Sequence, residues 1–185
     1  MPRTFIAIDV DESVKHQLSS IQEQLAATGA HLKLVETPNI HVTMTFLGDT
    51  PDTKLPEIIE ALRKVASEAR EFDIEVKGIG VFPSLKHIRV IWAGIAGGKE
   101  EVKNIQHAID RKLEPLGFSP EKDFIPHMTI ARVKSAREKD KLAEIIQNSE
   151  TLDFGQSKAT AIELKESKLT PKGPIYSTIE HVNLS

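Results

Sequence analysis

Asn39-Ile40-His41-Val42-Thr43-Met44-Thr45-Phe46-Leu47-Gly48 is a β-branched, alternating run that closes on Gly48-Asp49, and it reads as a strand. Pro126-His127-Met128-Thr129-Ile130-Ala131-Arg132-Val133, in the other half of the chain, has the same character. Side chains two apart on a strand share a face, so His41 lies beside Thr43 and His127 beside Thr129. One such His-x-Thr is ordinarily a structural pair. Two of them at matching positions call for a common explanation.

Working outward from the first motif, Phe5 to Asp9 is an apolar strand. Asp11 is expected to cap a helix with Val14, Leu18, Ile21 and Leu25 at helical spacing and Gly29 near its end. His31 to Val35 reads as a short strand, and the turn at Thr37-Pro38-Asn39 delivers the chain into the motif. A second helix begins near Pro56 with Ile58, Ile59, Leu62 and Val65 on one side, and Phe72, Ile74, Val76 and Ile79 trace a further strand. The second half repeats the order. Val90 to Ala93 is a strand, Gly97-Gly98 a break, and Val102, Ile105, Ile109 and Leu113 a helical stripe ahead of the second motif. Ser135 and Glu138 are spaced as a capping box for a helix carrying Leu142, Ile145 and Ile146. Ala161 to Leu164 and Tyr176 to Val182 supply the closing strands.

Phe5 precedes His41 by 36 residues and Val90 precedes His127 by 37. A repeat of both order and spacing predicts an internal duplication. The expected fold is α+β, with residues 1–185 as a single domain of two pseudo-symmetric lobes (sequence halves of approximately 1–86 and 87–185). Antiparallel sheets face a central cleft and helices lie outside.

Composition narrows the chemistry. The chain of 185 residues has no cysteine, which excludes disulfides, thiolate zinc sites, iron–sulfur clusters and a cysteine nucleophile. No stretch approaches the ~18 apolar residues needed to span a bilayer, and no membrane association or obligate protein partner is implied, so a soluble cytoplasmic protein is expected. A formal charge of −3 argues against a surface that coats duplex nucleic acid indiscriminately. Residues 132–141 are a local exception, with Arg132, Lys134, Arg137, Lys139 and Lys141 against Glu138 and Asp140; the ordinary reading of such a run is a solvated helix face.

If the lobes face each other, two imidazoles and two hydroxyls line a small cleft suited to one phosphate group. Hydrolysis of a phosphodiester needs one group to take a proton from the attacking oxygen and another to give one to the leaving oxygen. Imidazoles with an ordinary pKa of ~6.5 can do both near neutrality, and the threonine hydroxyls can hold the non-bridging oxygens. No cofactor and no metal is called for. The chain has no His-Glu-x-x-His run, no Gly-x-Ser-x-Gly elbow and no phosphate-binding-loop lysine. His16, His31, His87, His107 and His181 lack a matching threonine and are read as non-catalytic. Phe46 and Trp92 read as core residues. Tyr176, just after Lys172-Gly173-Pro174, is the better candidate for stacking on a base.

At these residues the chain resembles the two-histidine phosphoesterases, and within them the RNA 2′,3′-cyclic phosphodiesterases also called 2′-5′ RNA ligases. The resemblance runs from Arg3-Thr4-Phe5-Ile6-Ala7-Ile8 through both histidine motifs and Val81-Phe82-Pro83 to Glu166-Ser167-Lys168-Leu169 and Gly173-Pro174-Ile175-Tyr176. It implies metal-independent hydrolysis of a cyclic phosphate at an RNA end to a 2′-phosphomonoester. It also implies His41 as proton donor to the departing 3′ oxygen, His127 as the base that activates water, and Thr43 and Thr129 as phosphate-binding residues. Arg132 matches an arginine that reaches phosphate, although strict alternation along the strand points it away from His127 unless the strand bulges. The substrate would be RNA ends or small 2′,3′-cyclic phosphates. Two other activities fit the same cleft: ATP-independent 2′-5′ joining of RNA ends, the reverse reaction, and binding of RNA ends without turnover.

Overall fold

The computed structural model describes all 185 residues. It contains nine strands and four helices: β1 (Arg3–Asp9), α1 (Glu12–Ala27), β2 (Leu32–Leu34), β3 (His41–Asp49), α2 (Leu55–Glu68), β4 (Phe72–Ser84), β5 (His87–Ile95), α3 (Lys99–Leu113), β6 (His127–Val133), α4 (Lys139–Asn148), β7 (Asp153–Ala159), β8 (Ala161–Thr170) and β9 (Gly173–Asn183). The α+β architecture with two antiparallel sheets is as the alternating patterns imply. One sheet has the order β3-β1-β8-β9 and the other β2-β6-β5-β4-β7. Leaving aside the short edge strand β2, the two orders correspond: a histidine strand, then the first strand of its half, then two more.

The correspondence involves an exchange. β1 and β3 of the first sheet come from the first half of the sequence, β8 and β9 from the second; β4 crosses the other way to lie between β5 and β7. The helices are exchanged as well. α2 and α3 back the first sheet, and α3, from the second half, packs behind β3. α1, from the first half, packs behind β6 and β7 together with α4. β3 and β6 pack against each other where the sheets meet. Buried apolar side chains form one connected cluster, from Ile6, Leu62 and Ile109 behind the first sheet to Leu18, Ile91 and Ile146 behind the second. Burying each such side chain is worth about 1.5–3 kcal/mol, so the helix-facing sides hold the layers together and the opposite faces are left for the site. No helix is long and apolar enough to cross a membrane.

Three local expectations are corrected. Ser135 does not cap α4: the helix starts at Lys139 after Glu138, which takes a left-handed conformation (φ 57°), while the Ser135 hydroxyl accepts from the Arg137 amide at 3.3 Å in the preceding turn. β7 lies in a stretch with no strand expected from the sequence, because only Phe154, Ser157 and Ala159 of its seven residues are buried. Phe46 is 73% exposed and is not part of the core.

Candidate active site

Each histidine opens its strand and is fixed in the same way. The His41 Nδ1 lies 2.6 Å from the Asn39 carbonyl and the His127 Nδ1 lies 2.6 Å from the Ile125 carbonyl. A carbonyl only accepts, so Nδ1 carries the proton in both rings and the neutral form leaves the Nε2 lone pair free. His41 Nε2 meets the Thr43 hydroxyl at 2.6 Å; the neutral ring accepts from that hydroxyl and the protonated ring donates to it.

A bulge follows each motif. Opposite Ile6 and Ala7, β3 presents Thr45 and then Thr43, so Met44 has no partner; opposite Ile91 and Trp92, β6 presents Ala131 and then Thr129, so Ile130 has none. Two consecutive buried residues result in each strand, Met44-Thr45 and Ile130-Ala131. Alternation resumes one residue out of step, which returns the side chain five positions after each histidine to the histidine's face. In β3 that residue is Phe46, and in β6 it is Arg132. The bulge thus removes the geometric objection to Arg132.

The bulge in β6 is held from behind. Gln22, on α1 and 5% exposed, donates from Nε2 to the carbonyls of Val35 (2.8 Å) and Ile130 (2.9 Å), and the Val35 amide also donates to Ile130 (2.9 Å). In β3 the equivalent support comes from α3: the hydroxyl of Thr45 donates to Asp110 Oδ1 at 3.4 Å, and Asp110 Oδ2 accepts from Gln106 and from the Glu121 amide. Lys15, 2% exposed, pairs with Asp9 at 2.9 Å and donates to the Pro38 carbonyl at 3.2 Å, pinning the turn whose next carbonyl orients His41. The same turn is tied to β9 by Asn39 Nδ2, which donates to the Pro174 carbonyl at 3.2 Å. Sequence reasoning passed over Lys15 and Gln22. The available signal was a cation and an amide seven residues apart, flanking Leu18 on an otherwise apolar helix stripe.

Aromatic rings wall the histidines. Around His41 are Phe5 (5.1 Å between centroids) and Tyr176, whose ring stands edge-on at 5.5 Å. Tyr176 is therefore part of the wall of the site on β9. Around His127 are Phe82 (5.0 Å, perpendicular) and Trp92 (5.9 Å). The indole lies over Gly80, where a Cβ would overlap the ring, so glycine is required there.

Burial pushes the His41 imidazole below its ordinary pKa; the Asn39 carbonyl opposes this, the Lys165 charge adds to it, and Asp9 works against it. Burial also lowers His127, the Ile125 carbonyl opposes it, and Arg132 lowers it further. Tyr176 is raised by burial and partly brought back by the same Arg132. One guanidinium therefore acts on groups beside both histidines: His127 itself, and the tyrosine that abuts His41. The arrangement brings two imidazoles, the Nε2 of His41 on the Thr43 hydroxyl and that of His127 without a partner in the chain, together with three hydroxyls and a cation, to the sheet faces away from the helices.

With this geometry in place, comparison with known proteins gives a direct answer. The family model for LigT-like phosphoesterases matches residues 8–92 and 95–176, one segment around each histidine motif. The chain belongs to the LigT-like phosphoesterase family. Curated RNA 2′,3′-cyclic phosphodiesterases resemble it over nearly their whole length. That of Methanothermobacter thermautotrophicus is 39% identical over 96% of both chains, and that of Methanocaldococcus jannaschii is 40% identical over 96% of this chain and 98% of its own. Among solved structures, a protein of Thermus thermophilus superposes with a TM-score of 0.83 at 26% identity, covering 98% of this chain and 97% of that one. Escherichia coli LigT with 3′-AMP gives 0.80 at 18% identity, covering 100% and 98%, a likeness of fold.

Proposed function

We propose that this LigT-like phosphoesterase opens 2′,3′-cyclic phosphates at RNA ends to 2′-phosphomonoesters, by acid–base catalysis between His41 and His127 and without a metal ion. The observation that carries the reading is the paired tethering: in each half a backbone carbonyl two residues upstream holds Nδ1, so that Nε2 is the nitrogen turned to the site, on the Thr43 hydroxyl in His41 and unpartnered in His127. The names of close relatives supply the substrate class.

In the proposed step His127 Nε2 takes a proton from water as its oxygen bonds to phosphorus. The bond from phosphorus to O3′ breaks, and O3′ takes the proton from His41 Nε2–H. One proton enters at His127 and one leaves from His41, and the pair is reset through solvent. Thr43, Thr129 and Arg132 hold the non-bridging oxygens as charge builds on them. The Thr129 hydroxyl has no side-chain hydrogen bond, in contrast to that of Thr43, and is open to such a contact. The phosphate anion also favours a protonated imidazole, offsetting the effect of burial on His41. The whole chain, residues 1–185, acts as one two-lobed catalytic unit. No group of three or more His, Asp or Glu side chains is placed to hold a metal ion.

The test is incubation with an oligoribonucleotide ending in a 2′,3′-cyclic phosphate, followed by identification of the hydroxyl that keeps the phosphate. A 2′-phosphate is expected, turnover should survive a strong chelator, and His41→Ala or His127→Ala should each lower kcat by about 10²–10⁴. Full activity in both variants would reject the mechanism. Binding without turnover, indifferent to both substitutions, would select the non-catalytic reading.

A further inference from the structure

Beyond Arg132 the surface continues into a groove of roughly 520 Å³ between the start of β5, the end of β6 and the start of α4. Its charged and titratable lining residues are His87, Arg89, Arg132, Lys134 and Lys139; no carboxylate lines it. None of these cations takes part in an ion pair, in a chain whose net charge is −3. The walls are set by hydrogen bonds: Arg89 Nε donates to His87 Nε2 at 2.8 Å, and Lys139 Nζ donates to the Lys86 carbonyl at 3.1 Å, tying α4 to the hairpin between β4 and β5. Ser135 and the apolar residues Ile88, Val90, Val133, Ala136 and Leu142 form the rest of the lining.

We infer that this groove binds the phosphodiester backbone of the RNA strand on the 5′ side of the cyclic phosphate. The proposal rests on the phosphodiesterase reading and deepens it. A cyclic phosphate is a 3′ terminus, so any attached chain leaves the site in the 5′ direction only. Arg132 is the link: its charge acts on His127 and Tyr176 at one end, and it lines the groove at the other. Five residues along β6 separate it from His127, at most roughly 16 Å at about 3.3 Å per residue, so the groove is within reach of the nucleotides next to the scissile one. Unpaired cations over an apolar floor suit a single strand, whose phosphates meet lysine and arginine while sugars and bases meet aliphatic surface. The protein would therefore prefer oligonucleotides to cyclic mononucleotides, a preference written in residues the acid–base step does not use.

The test compares the full chain with Lys134→Ala/Lys139→Ala and with Lys64→Ala/Lys112→Ala, a control of equal charge change on the outer helices. Substrates are 2′,3′-cyclic AMP and a ten-nucleotide RNA ending in a cyclic phosphate. The unaltered protein should favour the oligonucleotide in kcat/KM. The groove variant should raise its KM about tenfold with kcat within twofold, leave cyclic AMP turnover unchanged, and reduce the salt slope of binding by about 1.4, or 0.7 per lost phosphate contact. Equal effects on both substrates, no preference in the unaltered protein, or an equal loss in the control would overturn the proposal. Failure to hydrolyse either substrate would instead count against the phosphodiesterase reading. Anisotropy with a labelled RNA ending in a 3′-phosphate then decides the groove separately: equal affinity in the unaltered protein and the groove variant overturns it, as does displacement of the RNA by polyglutamate at equal charge concentration. Lys134→Glu/Lys139→Glu should weaken RNA binding further than the alanine pair.

Discussion

At the residue scale the proposed mechanism puts the pH behaviour on the two imidazoles. Burial lowers both below the ordinary value of 6.5, and neighbouring cations (Lys165 for His41, Arg132 for His127) lower them further. The free enzyme's essential acid and base govern the profile of kcat/KM. With both groups below 6.5 its bell should peak on the acid side of pH 6.5, and a maximum above pH 7 would contradict the assignment. Stability should respond in a definite sense. The unfolded chain takes up these protons as pH falls through about 6.5, whereas the folded chain does so only at lower pH. Between those points the unfolded state binds more protons, so the contribution is full above about 6.5 and declines on acidification. Urea midpoints measured from pH 8 to pH 5 should fall, and less steeply in a protein with both histidines replaced by asparagine.

At the scale of elements, the bulge separates what the sequence made legible from what it did not. β-branched content, with Gly48-Asp49 closing the first run, revealed both motif strands, and two-residue spacing gave the shared faces of His41 with Thr43 and His127 with Thr129, all four half-buried in the structure. The unpaired residue just after each motif, Met44 in β3 and Ile130 in β6, then reversed that alternation, and a bulge leaves no mark in a run that is apolar on either side of it. This is why Phe46 read as core, and why Arg132 read as facing away. β7 escaped notice for a different reason: its polar residues lie at the edge of a sheet, where burial on one side enforces little pattern.

The bulge also has a testable support. Gln22→Leu removes donors from the Val35 and Ile130 carbonyls, at a cost of about 1–2 kcal/mol and roughly 2–4 °C of Tm per kcal/mol. If Gln22 positions Arg132, the variant should also raise KM. That rise should vanish in an Arg132→Ala background, where a purely structural loss would persist.

On the scale of the whole molecule, hydrophobic periodicity says which residues are buried and not against which partners. The duplicated order of elements was therefore legible, while the exchange of β2, β4, β8, β9, α1 and α3 between layers was not. That exchange makes each histidine depend on the other half. Behind His41's strand stands α3, whose Asp110 receives Thr45; behind His127's strand stands α1, whose Gln22 holds Ile130. A fragment of residues 1–86 would leave β1 without β8, β4 without β5 or β7, and α1 without the sheet it covers. A fragment of residues 87–185 would leave β5 without β4 and α3 without β3. Long-range pairing of this kind binds the chain into one cooperative unit. Each fragment alone should lack a cooperative thermal transition and hydrolyse no cyclic phosphate, and mixing the two from denaturant should restore both properties in a one-to-one complex. Cooperative unfolding of either fragment by itself would show that the halves are independent folding units, and the exchanged helices would then be a consequence of docking and not a condition for folding.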